Sequence, residues 1–219
     1  MIADQVRAFL GQIPPHVAVL AAAKTRSVDE IRDAIEGGIR CVGHNYVQEA
    51  ERAIERLGRD AAEWHMIGHL QRNKAKAAVR LFDVIQTVDS LRLARKIDRE
   101  AAKIDRVVPI LIEINSAREP QKAGVLPDEA TDLIREIAGL RSVRIEGLMT
   151  MGPLVDDPEA IRPYFTATKR LLDEIAALEI PNVEMRTLSM GMSDSYRIAI
   201  EEGATMVRVG TALFGPRET

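Results

Sequence analysis

The chain has 219 residues, of which 46% are hydrophobic and 29% charged, and its formal net charge is -3. These proportions are those of an ordinary globular protein, which excludes a disordered, collagen-like or coiled-coil chain, and the absence of a basic excess argues against nucleic-acid binding. The single cysteine, Cys41, excludes an internal disulfide, and no secretory signal or long apolar run is visible, so we expect a cytoplasmic protein with no membrane partner.

Short apolar runs alternate with amphipathic stretches along the first half of the sequence. After an opening helix over residues 4–11, the apolar runs predict strands at 17–23, 39–43, 64–67 and 83–87. The intervening stretches predict helices that start after Ser27 and over residues 46–57, 73–80 and 89–103. Ser27 and Glu30 have the spacing of a capping box, and Asp89 is a suitable N-cap.

The alternation continues through the second half. Strands are expected at 108–114, 143–149, 183–188 and 206–209, and helices at 128–138, 163–178 and 193–202. Asp157-Pro158 is expected to open a separate turn, because Pro163 would clash inside a helix that began there. The run VPILIEI at 108–114 is apolar on both faces except for Glu113, which is typical of a parallel strand covered on each side.

Eight strands separated by seven helices indicate an α/β fold with parallel pairing and right-handed crossovers. We expect a single (β/α)8 TIM-type barrel. A doubly wound open sheet is the alternative, although no GxGxxG follows the first strand. The eighth helix is missing, and the opening helix is expected to cover its place. No linker divides the sequence, so residues 1–219 are expected to form one domain.

In such a barrel, polar residues that follow the strands gather at the C-terminal face, where function resides. The candidates are Lys24, Asn45, His65, His69, Asn115, Met149, Ser189 with Met190, and Arg208 to Thr211. Lys24 directly follows an apolar strand, and burial disfavours the charged form of an amine, which makes it a nucleophile for Schiff-base formation. The alternative is a lysine that extends to solvent from the strand end.

The segment after the last predicted strand is a candidate phosphate site. The amides around Gly210 and Thr211 could cradle a phosphate, and the Ser189 hydroxyl could contact the same anion. Two alternatives stay open: Gly210 could only form a turn that ends the strand, and Arg208 could belong to a structural ion pair.

The spacing of His65 and His69 at i, i+4 suggests a metal site on a helix. Here the pair straddles Gly68 at a strand end, and no acidic or cysteine ligand is expected nearby, so we expect packing roles and no metal. Cys41 lies in an apolar strand and is expected to be a small buried hydrophobe rather than a nucleophile. No GxSxG elbow is present to support a serine triad.

Six segments, spread over nearly the whole chain, resemble the pyridoxal-phosphate homeostasis protein family. They are AAK at 22–24, GHNYVQE at 43–49, WHMIGHLQRNK at 64–74, GLMTM at 147–151, LSMGMSD at 188–194 and VRVGTALFG at 207–215. This family is in turn similar to the N-terminal barrel domain of alanine racemases. The resemblance implies a fold-type III barrel that binds pyridoxal 5′-phosphate (PLP), with an N-terminal helix and no C-terminal β-domain.

The resemblance also implies the cofactor contacts. Lys24 falls at the position of the covalent aldimine, and Asn45 lies near the cofactor ring. Ser189, Gly210 and Thr211 match phosphate-binding positions, and Arg208 matches the arginine that faces the pyridine nitrogen. His65 and Met190 complete the predicted cofactor-binding set.

Two residues depart from the family pattern. His44 stands where the family usually has Glu, which puts a carboxylate role there in doubt. Glu113 replaces the more usual Gln, whereas Asn115, Lys122 and Gly124 keep the rest of that pattern. Neither change touches the lysine or the phosphate segment.

The family resemblance implies a carrier that buffers PLP through a Lys24 Schiff base and acts in cellular PLP homeostasis, without robust catalytic activity. Its expected partners are PLP and PLP-dependent apo-enzymes, and the expected oligomeric state is a monomer. The alternative is a PLP-dependent amino-acid racemase or lyase of weak activity. Racemases of this fold take one base from an all-β domain, for which no sequence is expected after Gly215. A metal-dependent barrel hydrolase is a third alternative without a complete ligand set.

Overall fold

The computed structural model describes residues 1–153 and 155–216. Eight parallel strands pair in chain order, and the last pairs with the first, so the sheet closes into a barrel. The strands are β1 (Ala18–Ala22), β2 (Cys41–His44), β3 (Glu63–Met66), β4 (Val84–Val88), β5 (Val108–Ile114), β6 (Val143–Thr150), β7 (Val183–Ser189) and β8 (Met206–Val209). The predicted (β/α)8 barrel is therefore confirmed.

Helices surround the barrel and connect its strands. They are α1 (Ile2–Leu10), α2 (Val28–Glu36), α3 (Val47–Leu57), α4 (Ala75–Leu81), α5 (Leu91–Ala102), α6 (Pro127–Ala138), α7 (Arg162–Ala176), α8 (Tyr196–Glu201) and α9 (Thr211–Phe214). Short 3₁₀ turns lie at Arg59–Ala61, Arg72–Lys74 and Pro158–Ile161. Among the described residues, no helix has both the length and the apolar character needed to cross a bilayer.

Several local predictions are confirmed by the helix ends. The Ser27 side chain accepts the Glu30 amide while the Glu30 carboxylate accepts the Ser27 amide, which is the predicted capping box. A separate turn follows Asp157, and Pro163 lies in the first turn of α7, where a proline costs no hydrogen bond.

Two predicted helix starts are wrong. Asp89 does not cap α5, because the chain stays extended through Ser90, which occupies the cap position and makes no capping hydrogen bond. The last connecting helix, α8, begins at Tyr196 rather than at residue 193. Residues 193–195 therefore remain a loop at the C-terminal end of the barrel.

The opening helix takes the place expected of it. Helix α1 packs against α2 and α9, the Gln5 amide donates to the Ala212 carbonyl at 3.1 Å, and the Phe9 ring lies 5.1 Å from the Tyr196 ring. It therefore covers the barrel wall beside β8, from which α9 extends only one turn.

Alternation along the strands divides the core into an interior and an outer layer. Inside the barrel, Leu20, Cys41 and Met206 form one apolar cluster, and Val84, Leu111 and Met149 form another. The outer layer, between strands and helices, contains most of the buried apolar side chains. Polar side chains on the interior face of a strand therefore either meet inside the barrel or line one of its two ends.

Candidate functional site

A cavity of about 330 Å³ lies at the C-terminal end of the barrel, within the size range of small-molecule sites. Its walls are formed by Ala22, Lys24, Arg26, Asn45, Ile67, Met151, Met192, Ser193, Asp194, Arg208, Gly210 and Thr211. The structure thus brings together five of the eight predicted cofactor-binding residues, from three different strand ends. These are Lys24, Asn45, Arg208, Gly210 and Thr211.

Lys24 reaches the cavity from the loop after β1. It is half-buried and lines the cavity wall, so it does not simply extend to bulk solvent. The next residue, Thr25, has a φ of 63°, a conformation that is unfavourable for a β-branched residue. Its hydroxyl donates to the Lys24 carbonyl at 2.6 Å. Such strain persists only where the surrounding structure enforces it, and here it lies in the turn that immediately follows Lys24.

Arg26 is a cavity residue that the sequence did not predict. Its side chain is only 9% exposed and forms an ion pair with Glu30 at 3.0 Å. The guanidinium also donates to the Gly215 carbonyl at 2.6 Å and lies over the Phe214 ring at 5.1 Å. Arg26 therefore ties the loop after β1 to the end of α9. No local pattern indicates this role, because its partners lie nearly 190 residues away in sequence.

The adjoining part of the wall is formed by the loops after β7 and β8, which meet at Ser193. The Ser193 hydroxyl oxygen accepts the amides of Gly210 and Ala212, both at 3.3 Å. A Cβ added to Gly210 would lie 3.4 Å from the Ala22 carbonyl oxygen, an ordinary contact. Packing therefore does not require glycine at this point of the wall.

The electrostatics of the cavity favour an anion. Lys24, Arg26 and Arg208 are three cationic side chains in its wall, against the single carboxylate of Asp194. The amides of Gly210 and Ala212 already donate to the Ser193 hydroxyl oxygen, which leaves the hydroxyl proton and the three cations to contact an anion. Clustered cations of this kind attract phosphate groups.

Arg208 is the most deeply placed of these cations, at 4% exposure. Its guanidinium donates to the Ser189 carbonyl, the Ser189 hydroxyl and the Thr150 carbonyl, each at 2.8 Å. Burial lowers the pKa of Arg208 to about 10, against the opposing effect of Glu113, so it stays charged at neutral pH. No carboxylate in the described part of the chain forms an ion pair with it. Arg208 is thus a hydrogen-bonded cation that faces the cavity rather than half of a salt bridge.

A chain of buried hydrogen bonds supports Arg208 from below. The Ser189 hydroxyl donates to Gln86 Oε1 at 2.7 Å, and Gln86 Nε2 lies 2.9 Å from His65 Nδ1. Met190 is fully buried in the outer core. Ser189, His65 and Met190 therefore lie outside the cavity wall, and the first two act on it through Arg208. Gln86 was not among the predicted residues, although a polar side chain within an apolar strand indicates a buried hydrogen-bonding group.

The two departures from the family pattern have different consequences. His44 is 1% exposed, and its ring stacks on Trp64 with centroids 5.9 Å apart. Burial lowers the pKa of His44 to about 4. The side chain is therefore neutral at pH 7 and faces the outer layer, away from the cavity.

Glu113 instead faces a second cavity of about 280 Å³, which shares Met151 and Met192 with the first. Burial, assisted by Asp89 and opposed by Arg208, raises the pKa of Glu113 to about 7. Asn115 organises the neighbouring loop, since its amide donates to the Glu119 carbonyl at 2.8 Å and its carbonyl accepts the Glu119 amide at 3.0 Å.

The raised pKa of Glu113 predicts a measurable dependence of stability on pH. Because the folded state holds the proton more tightly than the unfolded state, the stabilisation is complete below about pH 4.5 and is lost as pH rises through about 7. The shift corresponds to up to about 3 kcal/mol of unfolding free energy. Between pH 5 and pH 8, the unfolding free energy of Glu113→Gln should therefore rise relative to that of the wild type by up to about 3 kcal/mol. Urea unfolding at each pH measures this difference. The lowered pKa of His44 makes stability change with pH in the opposite direction. This contribution is the same in the wild type and in Glu113→Gln, so it cancels from the difference. A difference that stays constant with pH would contradict the assignment.

The expectation that no acidic or cysteine ligand lies near His65 is wrong. Glu63 Oε1 lies 3.3 Å from His65 Nε2, and the Cys41 thiol lies 3.7 Å from Glu63 Oε2. The predicted partner His69 is exposed, whereas His65 is buried. Burial and the neighbouring Glu63 raise the pKa of Cys41 to about 12, which fits its expected role as an unreactive buried thiol.

The sequence matches known proteins over nearly its full length. Residues 2–218 match the family model for the alanine racemase N-terminal domain. The chain is 40% identical over 200 residues to the pyridoxal phosphate homeostasis protein of Aquifex aeolicus, covering 91% of this chain and 87% of that protein. It is 36% identical over 211 residues to the Escherichia coli protein of the same name, covering 95% and 89%.

Solved structures show the same architecture. PipY of Synechococcus elongatus superposes with a TM-score of 0.92 and 35% identity without PLP, and with 0.90 and 34% with PLP bound. Both comparisons cover 98% of this chain and 100% of PipY. An alanine racemase of Clostridium difficile in complex with cycloserine gives a TM-score of 0.83 over 100% of this chain and 59% of that enzyme. Its 15% identity supports the shared fold alone.

Proposed function

The chain belongs to the pyridoxal phosphate homeostasis protein family, and we propose that it binds PLP in the cavity at the C-terminal end of the barrel. The observation that carries this proposal is the pairing, in one 330 Å³ cavity, of a lysine amine with an anion-binding wall. PLP has the two matching groups, an aldehyde and a phosphate. The names of the relatives and the PLP-bound PipY structure support the same ligand.

The covalent contact in this proposal is made by Lys24. Its Nζ adds to the aldehyde carbon of PLP, and loss of one water molecule leaves a carbon–nitrogen double bond, the Schiff base. The phosphate would lie against Ser193, Gly210 and Thr211, which line the same cavity as Lys24.

Arg208 is proposed to face the pyridine nitrogen of the ring, with Asn45 beside the ring. A permanently charged guanidinium disfavours protonation of a neighbouring nitrogen, so the ring withdraws electrons less strongly than a ring paired with a carboxylate. The buried chain from Arg208 through Ser189 and Gln86 to His65 holds the guanidinium in place.

We therefore infer a carrier that holds PLP reversibly and releases it to PLP-dependent apo-enzymes, with a monomer as the working unit. The test begins with purified protein incubated with PLP, passed through a desalting column and examined for visible Schiff-base absorbance. The loaded protein is then mixed with an apo-enzyme whose regained activity reports transfer. Protein that stays colourless would contradict the PLP site. Exchange of the α-proton of alanine in heavy water at about 1 s⁻¹ or faster would contradict the carrier role, since that is an ordinary enzymatic rate.

A substitution at Gly210 tests the proposed phosphate position. Gly210→Ala should fold normally, because the added Cβ makes only ordinary contacts with Ala22. The same Cβ would stand in the cavity wall beside the proposed phosphate, so we expect about 10-fold weaker PLP binding, or about 1.4 kcal/mol. Absorbance titration measures the affinity, and circular dichroism checks the fold. Unchanged affinity would place the phosphate elsewhere.

A further inference from the structure

A second cluster of functional side chains lies at the opposite, N-terminal end of the barrel. Cys41 and Glu63 are the first residues of β2 and β3 and are paired in register. His65 follows two residues after Glu63, so its side chain points to the same interior face. One potential ligand atom from each of the three residues lies within 4.8 Å of the other two.

The spacing of these atoms matches the edges of a metal tetrahedron. Zn²⁺ is bound at about 2.3 Å by sulfur and about 2.0–2.2 Å by nitrogen or oxygen. Tetrahedral angles then give ligand separations of about 3.4 Å between nitrogen and oxygen and about 3.6 Å between sulfur and oxygen. The observed separations are close to these values: 3.3 Å from His65 Nε2 to Glu63 Oε1 and 3.7 Å from Cys41 Sγ to Glu63 Oε2. They involve the two different oxygens of Glu63, so a cation between His65 and Cys41 would be held by this carboxylate through one oxygen after a small rotation or through both.

An independent observation at His65 also indicates a ligand. The residue is 1% exposed, and its Nε2 has no hydrogen-bond partner among the described residues. The contact with Glu63 at 3.3 Å therefore leaves His65 Nε2 without a well-formed hydrogen bond. An unpaired buried polar atom is costly, and a coordinated cation would satisfy it.

Gln86 supplies the support that a histidine ligand needs. It lies 2.9 Å from His65 Nδ1, and the two orientations of an amide group are assigned from their surroundings. In the structure Gln86 Nε2 faces His65 and Gln86 Oε1 accepts the Ser189 hydroxyl. Metal binding requires this amide to turn over, so that Gln86 accepts the Nδ1 proton of His65, donates to Ser189, and leaves the Nε2 lone pair free. A hydrogen bond of this kind orients metal-binding histidines and fixes their tautomer.

The composition and exposure of the cluster determine the ion it would take. A sulfur, an imidazole nitrogen and a carboxylate oxygen suit Zn²⁺ better than Mg²⁺ or Ca²⁺, which prefer oxygen alone. A bound divalent cation deprotonates a thiol outright. The Glu63 side chain is 51% exposed, so the ion can enter from solvent, and water can take the fourth position.

We propose that Cys41, Glu63 and His65 form a Zn²⁺ site at the N-terminal end of the barrel, separate from the proposed PLP cavity. The site joins the starts of β2 and β3 through three side chains. It replaces the sequence-based expectation of no metal. The sequence spacing of His65 and His69 does not show that β2 pairs with β3, and it is this pairing that places Cys41 beside Glu63.

Cobalt titration tests this proposal, because tetrahedral Co²⁺ reports a thiolate ligand by its absorbance. The whole chain is freed of metal with a chelator and titrated with Co²⁺, and bound Zn²⁺ is counted after gel filtration. We expect one equivalent of either ion and a thiolate-to-cobalt band. Cys41→Ser should abolish the band.

Cys41 is buried, so Cys41→Ser could fail to bind metal because it folds poorly. Glu63→Gln is a second variant that tests the same site without this difficulty. Glu63 is half-exposed, and losing this ligand should weaken Co²⁺ binding at least about 10-fold. The control Glu184→Gln removes an exposed carboxylate from the start of β7 and should leave binding unchanged. Absence of bound metal, or binding that neither Cys41→Ser nor Glu63→Gln weakens, would overturn the proposal.

Discussion

Lys24→Ala should abolish covalent attachment of PLP. When wild-type protein is incubated with PLP and reduced with borohydride, the Schiff base becomes a stable secondary amine. Without the amine of Lys24 no such bond forms in the cavity, and we expect at least about 100-fold less attached cofactor. The visible absorbance of the Schiff base should disappear as well. Mass spectrometry of the reduced proteins measures the attached group.

Lys122→Ala is the matched control for this experiment. Lys122 is also half-buried, but it lines the neighbouring cavity, where its amine contacts Glu119 at 2.6 Å and the Gly152 carbonyl at 3.0 Å. This variant should be labelled like the wild type. Equal labelling of Lys24→Ala and wild type would show that another lysine forms the bond.

Gly68→Ala should damage both the fold and the site. A Cβ on Gly68 would lie 2.4 Å from the Asn45 carbonyl oxygen and 2.6 Å from the Asn45 Cα. These are backbone atoms, which cannot move aside as the end of a flexible side chain can. We expect a loss of about 3 kcal/mol in unfolding free energy, the upper part of the usual range for overpacking. PLP binding should fall too, because Asn45 is displaced. Urea unfolding and absorbance titration measure the two effects.

The control for this variant is Gly139→Ala at the end of α6. There the added Cβ would meet its nearest atom, the Glu136 carbonyl oxygen, at 3.7 Å, and the backbone φ of -73° suits alanine. Its stability should match or slightly exceed that of the wild type. If Gly68→Ala is as stable as Gly139→Ala, the close packing of the β3 loop on Asn45 is not required.

The architecture was predictable from the sequence because strand and helix periods differ. The run VPILIEI was expected at 108–114, and β5 occupies Val108–Ile114. The errors fall at helix starts. At α5 the extended residue Ser90 takes the cap position in place of Asp89, and at α8 a turn over residues 193–195 delays the start to Tyr196. Ser193 lies in the loop that lines the cavity because α8 begins at Tyr196, three residues later than predicted.

The residues that line the cavity were predictable where they lie at or just after the end of a strand, as with Arg208 and Lys24. Ser193 and Arg26 were missed because their partners come from distant segments. The contact of Cys41 with Glu63 depends on the register between β2 and β3, which no local pattern specifies. Family resemblance identified Ser189 and His65 as important, but the structure places both beneath the cavity wall.

Polar side chains connect the two ends of the barrel interior. From the cavity, Arg208 contacts Ser189, which contacts Gln86, which contacts His65 beside Glu63. Arg208 has three hydrogen bonds at the cavity end, whereas His65 Nε2 has no partner among the described residues. Since such networks are costly when partly satisfied, the cation proposed beside His65 would complete this one.

The most direct test of the PLP site is peptide mapping of the wild-type protein after PLP loading and borohydride reduction. We predict one pyridoxyl phosphate group per chain, attached to Lys24, and its loss from that position when inorganic phosphate competes at high concentration. Attachment to Lys122 or another lysine, or no attachment at all, would contradict a PLP site at the C-terminal end of the barrel.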